Sequence, residues 1–258
     1  MEVLDLKNSV AAPEKFACPI CGTAMEERDK VALGEPIKVM VLMCNCLANK
    51  ATRAAIEQLY RSANMPKKFY GEGMTDWVDA AGTEDLKRVA EEYLKDLESN
   101  IRKGIGMLVG GPIGTGKTKR ILHVMNGAIK KGVPSYYISS NELNTQIPRL
   151  KKSGKGLDAF MDKLIKTKLL VYDDFGESDP NSWDLKDANL VVNERYNHGR
   201  AILFTTMKSI PNLADQVGDH MISRMIEMSG PFIAEVEPEA IDMRMPDNRK
   251  AHGLKVLF

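Results

Sequence analysis

Eight residues, Gly111-Pro112-Ile113-Gly114-Thr115-Gly116-Lys117-Thr118, form a complete G-x-x-x-x-G-K-T pattern between the apolar run Met107-Leu108-Val109 and a helical stretch over 119–130. Glycines let the backbone turn so that successive N–H groups converge on a phosphate, and the following helix adds its positive end. Lys117 is expected to reach the β- and γ-phosphates of a nucleoside triphosphate, and the Thr118 hydroxyl to ligate Mg²⁺. A chance glycine-rich turn would lack this strand–loop–helix setting. Further on, Leu169-Leu170-Val171-Tyr172 runs into Asp173-Asp174-Phe175. Four apolar residues followed by two carboxylates describe a buried strand delivering acids to the carboxyl end of a sheet, where ligands bind in open α/β folds. Asp173 is expected to hold Mg²⁺, directly or through water. Asp174 is expected to orient or deprotonate the attacking water, and because Asp is shorter than Glu, slow hydrolysis is expected.

All four cysteines fall in the first fifth of the chain, as Cys18-Pro19-Ile20-Cys21 and Cys44-Asn45-Cys46. Four thiolates can surround Zn²⁺ tetrahedrally, and a metal compensates for a module too small for its own core. The C-x-C half is less specific than C-x-x-C, so an iron–sulfur cluster or free thiols also fit. Four protein ligands leave no open position for catalysis. His123, His198, His220 and His252 are scattered and read as helix or surface residues.

Positioning these groups requires an alternation of strands and helices. The expected strands are 107–109, 135–139, 169–172 and 201–205, which implies a parallel sheet covered by helices. A helix over 48–63 should stop at Met65-Pro66. Thr83 is expected to cap a second helix, whose Leu86, Val89, Ala90, Tyr93, Leu94 and Leu97 share one face. The fold class is therefore α/β, a P-loop NTPase core with a parallel sheet sandwiched by helices, plus a small N-terminal zinc-binding module. The expected division is a zinc-binding module over 1–70, a linker helix over 71–103 and an ATPase domain over 104–258.

The chain has 258 residues, with 36 Lys and Arg against 35 Asp and Glu, a net charge of +1. That balance excludes a uniformly basic nucleic-acid coat but not a local basic face. Residues 149–168 carry 7 basic and 2 acidic side chains, and 173–188 carry 1 basic and 6 acidic. Arg149 to Lys155, with Gly154 and Gly156, reads as a mobile basic loop suited to tracking phosphates, or as a solvated charged face. Tyr136, Tyr137 and Phe160 read as core. The sequence has no run of 18 apolar residues and no signal-peptide pattern at its start, so the expected location is the cytoplasm, with no membrane partner.

The order of these motifs, followed by Asn193-Glu194-Arg195-Tyr196 and Gly199-Arg200-Ala201-Ile202-Leu203-Phe204-Thr205-Thr206, resembles the DnaC/DnaI-type helicase-loader ATPases. These are relatives of the IstB transposition ATPases within the AAA+ superfamily, and the resemblance spans residues 16 to 230. It implies ATP and Mg²⁺ as cofactors, weak ATPase activity stimulated by partners, and assembly into an ATP-dependent homo-oligomer. It also implies binding to single-stranded DNA and to a DnaB-type replicative helicase, through the N-terminal module and the helix after it. In such proteins a polar residue at the tip of the fourth core strand senses the γ-phosphate. Met207 stands where the family usually has Asn, and Met cannot donate a hydrogen bond, which passes the role to Thr206. Arg224, in Ser223-Arg224-Met225, matches the arginine that reaches a neighbouring subunit's ATP. Arg244 resembles the arginine that contacts the γ-phosphate in its own subunit, with Arg249 as a rival. Met221, Ile222, Met225 and Ile226 are expected to form the buried side of the helix carrying Arg224. A transposition helper of the IstB type shares the core, and the cysteine module favours the loader. A small-molecule P-loop kinase is disfavoured by the paired acids and by Arg224, and a nucleotide-gated binding module with little catalysis is the remaining alternative.

Overall fold

In the computed structural model the described residues are 25–32, 35–42, 46–74, 77, 81–177, 183–237, 242 and 245. The chain divides into two compact units, Met1–Glu57 and Gln58–Phe258. In the first unit, β1 (Met25–Ala32) and β2 (Glu35–Leu42) form an antiparallel hairpin whose register runs from Met25 opposite Leu42 to Ala32 opposite Glu35. Cys18, Cys21 and Cys44 lie outside the described residues, and Cys46 opens α1 (Cys46–Ser62), which continues into the second unit.

The second unit continues through a 3₁₀ turn (Lys67–Phe69), α2 (Glu84–Lys95), α3 (Leu97–Arg102), β3 (Met107–Gly110), α4 (Lys117–Lys130), β4 (Ser135–Ser139) and α5 (Ser140–Ser153). It is completed by α6 (Leu157–Lys166), β5 (Leu169–Asp173), α7 (Trp183–Asn197), β6 (Ala201–Thr205), α8 (Ile210–Val217), α9 (Asp219–Ser229) and β7 (Ile233–Glu235). The five strands of this unit form one parallel sheet in the order β4-β5-β6-β3-β7. Every residue of β3, β5 and β6 is buried. Both faces are covered, which is why these strands read as unbroken apolar runs rather than alternating ones.

Alternation decides which helices each face meets. Leu108, Ile138, Leu170, Tyr172, Ile202 and Phe204 point into one cluster with Leu143 and Ile147 of α5, Leu164 of α6, Val191 and Val192 of α7, and Met221 and Met225 of α9. The opposite face packs on α4, and α2 lies against α4 and β7. Segment 71–103 belongs to the larger unit rather than forming a separate linker: Leu86, Val89, Ala90, Tyr93 and Leu97 are buried, and Tyr93 meets Phe232 edge-on. The helix breaks at Asp96. Thr83 does precede it but makes no side-chain cap, because its hydroxyl is turned inward to the Arg120 guanidinium at 3.4 Å.

The basic stretch is also more ordered in form than its glycines suggested. Helix α5 starts on a Ser139 side-chain cap that accepts from the Glu142 N–H, and it carries Arg149, Lys151 and Lys152 to its end. Gly154, at φ +65°, terminates it, leaving only residues 154–156 as the turn into α6. The buried face of α9 is Met221, Ile222, Met225 and Met228; Ile226, expected inside, is 42% exposed.

Arg195 has no exposed surface, and its guanidinium donates to the carbonyls of Leu164, Ile165, Thr167, Lys168 and Ala201. It closes the carboxyl end of α6 and ties that end to β5 and β6. Burial, together with Arg200 nearby, lowers its pKa to about 9, so it stays charged at neutral pH. Arg195→Ala would strip several buried carbonyls of a donor. The expected loss is about 3–5 kcal/mol of stability by urea unfolding, and Arg195→Lys should recover less than half, since an ammonium cannot span the same oxygens. A loss below about 1 kcal/mol for Arg195→Ala would refute the clamp.

Candidate nucleotide site

The phosphate loop joins the end of β3 to the start of α4, at the carboxyl edge of the sheet beside β6 and β5. Gly111 has φ +129°, and a Cβ there would fall 2.7 Å from the Val236 carbonyl oxygen, so only glycine fits. The loop is braced on that side by the Val236 N–H donating to Gly110 and from above by the Gly111 N–H donating to Lys208. Gly114 lies against the Asp242 carboxylate. Thr115 closes the turn by donating to the Pro112 carbonyl at 3.0 Å, and Ile113 projects outward, 53% exposed. Gly116 leads into α4, whose first residues are Lys117 and Thr118. The Lys117 side chain is buried, and its Nζ donates to the Pro112 carbonyl at 2.7 Å.

Asp173, 2% exposed, ends β5 among three hydroxyls. Thr118 Oγ1 donates to its Oδ1 at 2.9 Å, Thr205 Oγ1 to the same oxygen at 2.5 Å, and Tyr137 Oη to Oδ2 at 2.7 Å. Burial, reinforced by the Asp173 charge, pushes the Tyr137 phenol well above its ordinary pKa, so it remains a donor at any physiological pH. Asp174 takes the left-handed conformation at φ +55°, which Asp tolerates better than most residues. Its N–H donates to Thr205 Oγ1 at 2.9 Å. Hard oxygen donors from Thr118 and Asp173, side by side at the loop, suit Mg²⁺.

The structure therefore brings together Gly111 to Thr118, Asp173 and Asp174. Thr206 lies at the foot of the loop: its hydroxyl is buried and accepts the Lys208 N–H, while its own N–H donates to Val109. The strand-tip hydroxyl facing the acids is that of Thr205. Met207 presents its N–H to Glu177 Oε1 at 3.2 Å, which joins the loop after β5 to the tip of β6. Arg224 turns from α9 toward α7, where it donates to Asn193 Oδ1 and lies over the Tyr196 ring. Arg244 and Arg249 lie outside the described residues.

Three contributors escaped sequence reasoning. Tyr137 is core, as expected, but its hydroxyl reaches Asp173; strand parity places residues 137 and 173 on the same face, and that was the available signal. Thr205 and Arg120 are the others. Arg120 is buried, donates to the Thr115 carbonyl at 2.5 Å and stacks over Trp77. A polar stripe on α4 holds the chain entering this unit: Lys119 and His123 meet Glu72 at 3.3 and 3.2 Å, Asn126 donates to Phe69, and Lys130 donates to Gly71. His123 is a helix residue, as expected, and is buried against Glu72.

The IstB-like ATP binding protein family matches residues 28–227. The chain belongs to that family. It is 32% identical over 115 residues to the ATP-binding protein of insertion sequence IS5376 from Geobacillus stearothermophilus, covering 44% of each chain, so it spans less than half of that relative. The DnaC helicase loader structure superposes with a TM-score of 0.59 at 20% identity, over 67% of this chain and all of that one. The replication initiator DnaA bound to AMPPCP and single-stranded DNA gives 0.56 at 21% identity, over 74% of this chain and 57% of that one. At these identities the likeness is one of fold.

Tyr137→Phe should keep the protein folded and able to bind nucleotide while lowering Mg²⁺-dependent turnover about tenfold. A hydrogen bond to a carboxylate contributes about 1.5–3 kcal/mol, and a tenfold effect needs only about 1.4 kcal/mol. A Mg²⁺ titration of ATP hydrolysis matching the unsubstituted protein would show that the phenol does not position Asp173.

Proposed function

We propose that this chain is an ATP-dependent loader of a DnaB-type replicative helicase, which binds ATP and single-stranded DNA, assembles with copies of itself and releases its cargo on hydrolysis. The observation that carries this reading is the cysteine-bearing module ahead of an IstB-family ATPase core. It is supported by the β1–β2 hairpin, whose register puts Met25 opposite Leu42, so the segments bearing Cys18 and Cys21 and bearing Cys44 and Cys46 join it at the same end. Those four cysteines would hold Zn²⁺, giving a partner-binding surface independent of the nucleotide.

At the nucleotide, the loop N–H groups and Lys117 would bind phosphates, and Thr118 and Asp173 would hold Mg²⁺. The ion, when bound, offsets charge developing on the phosphoryl oxygens. Asp174 would orient or deprotonate the attacking water. Thr206, the strand-tip residue implied by the resemblance, would sense the γ-phosphate, with Thr205, whose hydroxyl meets Asp173, beside it. Arg224, on the outer side of α9, would act on a neighbouring subunit's ATP, so that hydrolysis depends on assembly; Arg244 would act in its own subunit. Among the described residues no helix is long and apolar enough to cross a membrane; the proposed role is cytoplasmic. The exposed Arg149, Lys152 and Lys155 at the α5–α6 turn would meet DNA phosphates.

A second reading, a transposition helper that binds duplex DNA and a transposase, is favoured by the likeness to the IS5376 protein. Pull-down of the replicative helicase with and without ATP separates the two. Capture of the helicase in an ATP-dependent manner is expected, and capture of a transposase instead would select the second reading. For the site, Lys117→Ala should abolish ATP binding, whereas Asp174→Asn should bind ATP and lose hydrolysis by about 100-fold or more, the range of a lost general base. Normal turnover by Asp174→Asn would remove Asp174 from that role.

A further inference from the structure

At the opposite end of the same strands lies a cavity of about 600 Å³, lined by Glu98, Arg102, Lys166, Lys168, His198 and Arg200 together with Gly132 to Pro134. It opens where α3, α4, α6 and α7 hand the chain over to the next element, one strand length from Asp173, or ~15 Å. Four permanent cations face one carboxylate in this lining. The whole chain is nearly neutral, so their convergence is local.

The register makes the crowding specific. Leu169 of β5 pairs with Ala201 of β6, so Lys168 and Arg200 enter adjacent strands side by side, at a strand spacing of ~4.8 Å. Like charges directly opposite one another are destabilising. Behind them sits a third cation, the buried Arg195, and the Arg200 charge acts unfavourably on it. Among the described residues no carboxylate pairs with Arg102, Lys168 or Arg200; only Lys166 has one, Asp162 on its own helix. Arg200 is held in place by donating to the Ile165 carbonyl at 2.9 Å. That bond and those of Arg195 also occupy the carbonyls at the end of α6, whose partial negative charge would otherwise disfavour an anion.

We propose that this groove, at the amino ends of β4, β5 and β6, binds the phosphate backbone of a nucleic acid strand as a second DNA contact, separate from the α5–α6 turn. It rests on the DNA-binding part of the function proposed above. Cations contributed by three successive connections suit a chain of phosphates better than one small anion, because an extended ligand can neutralise Arg102, Lys168 and Arg200 together. Binding there needs no base contact, so it is indifferent to sequence and sensitive to salt.

The test uses the full chain with a non-hydrolysable ATP analogue, a fluorescent oligothymidylate and a duplex of equal length, with anisotropy followed over a salt series. The variant Arg102→Glu/Lys168→Glu alters two exposed side chains outside the nucleotide site and the sheet core. It should bind the single strand at least tenfold more weakly. The slope of log affinity against log salt should fall by about 1.4, because each phosphate neutralised on a single strand contributes about 0.7. Unchanged ATP-analogue binding and a urea midpoint no lower than that of the unsubstituted protein certify its fold, and Lys168→Gln alone should give about half the slope change. An unaltered affinity and slope in the double variant overturns the groove. If Lys152→Glu/Lys155→Glu abolishes binding while the groove variant does not, the groove fails and the loader reading stands. Absence of any DNA binding by the unsubstituted protein overturns both. Loss of inorganic phosphate binding in the groove variant with DNA binding intact identifies a small-anion site and also overturns the proposal.

Discussion

A carboxylate that is 2% exposed costs free energy unless hydrogen bonds satisfy it, and Asp173 imposes that requirement on the whole Gln58–Phe258 unit. Its three donors come from three elements: Thr118 from the first turn of α4, Thr205 from the tip of β6 and Tyr137 from the middle of β4. Each can reach it only if the sheet order and register are kept. A one-residue slip of β4 would turn Tyr137 to the other face and leave the buried acid short of a partner. The same slip would also lift the β4 edge from the main chain at Ala63, which accepts the Tyr137 N–H at 2.8 Å. The site and the fold therefore share their hydrogen bonds, which is why the loop, the acid and the edge strand form one cooperative assembly.

Two buried cations do the complementary work. Arg120 holds the Thr115 carbonyl within the phosphate loop, and Arg195 gathers the end of α6 against β5 and β6. Each donates to main-chain carbonyls, so the guanidinium's planar fork reads backbone geometry. One fixes the carboxyl edge of the sheet and the other its amino edge. The near-zero net charge of the chain thus conceals a local excess of bases at the amino ends of the strands, where Arg102, Lys166, Lys168 and Arg200 line one cavity.

The phosphate loop, the four main strands and the apolar face of α2 were legible in the sequence because each is a local pattern with one structural solution. The β7 strand was not, since Ile233 to Glu235 is three residues long and gains its identity only by pairing with β3. Nor was Arg195 legible: a charged residue in a helix reads as a solvated one until the carbonyls of α6 are brought to it from some 30 residues away. Thr205 was not legible as a partner of Asp173, because only the fold shows that its hydroxyl, rather than that of Thr206, meets the acid. The Gly154 and Gly156 pair suggested a loop, but a Ser139–Glu142 cap upstream and the amphipathic pattern of α6 downstream were stronger signals. Composition told only that a hinge existed.

Lys117 shows how such a site can be stable and still receptive. A buried ammonium needs an acceptor, and here the Pro112 carbonyl supplies it from within the same loop. That bond is between a charged donor and a neutral acceptor, worth about 1.5–3 kcal/mol. A triphosphate offers the same ammonium several anionic oxygens, and charge-assisted pairs of that kind are stronger than a charged donor meeting a carbonyl. In the function proposed above, Lys117 would exchange one acceptor for another rather than pass through an unpaired state. Besides Lys117, Arg120 and the Thr115 hydroxyl also hold the loop, through the Thr115 and Pro112 carbonyls. The lysine can leave its carbonyl for a phosphate while the N–H groups around it keep their positions.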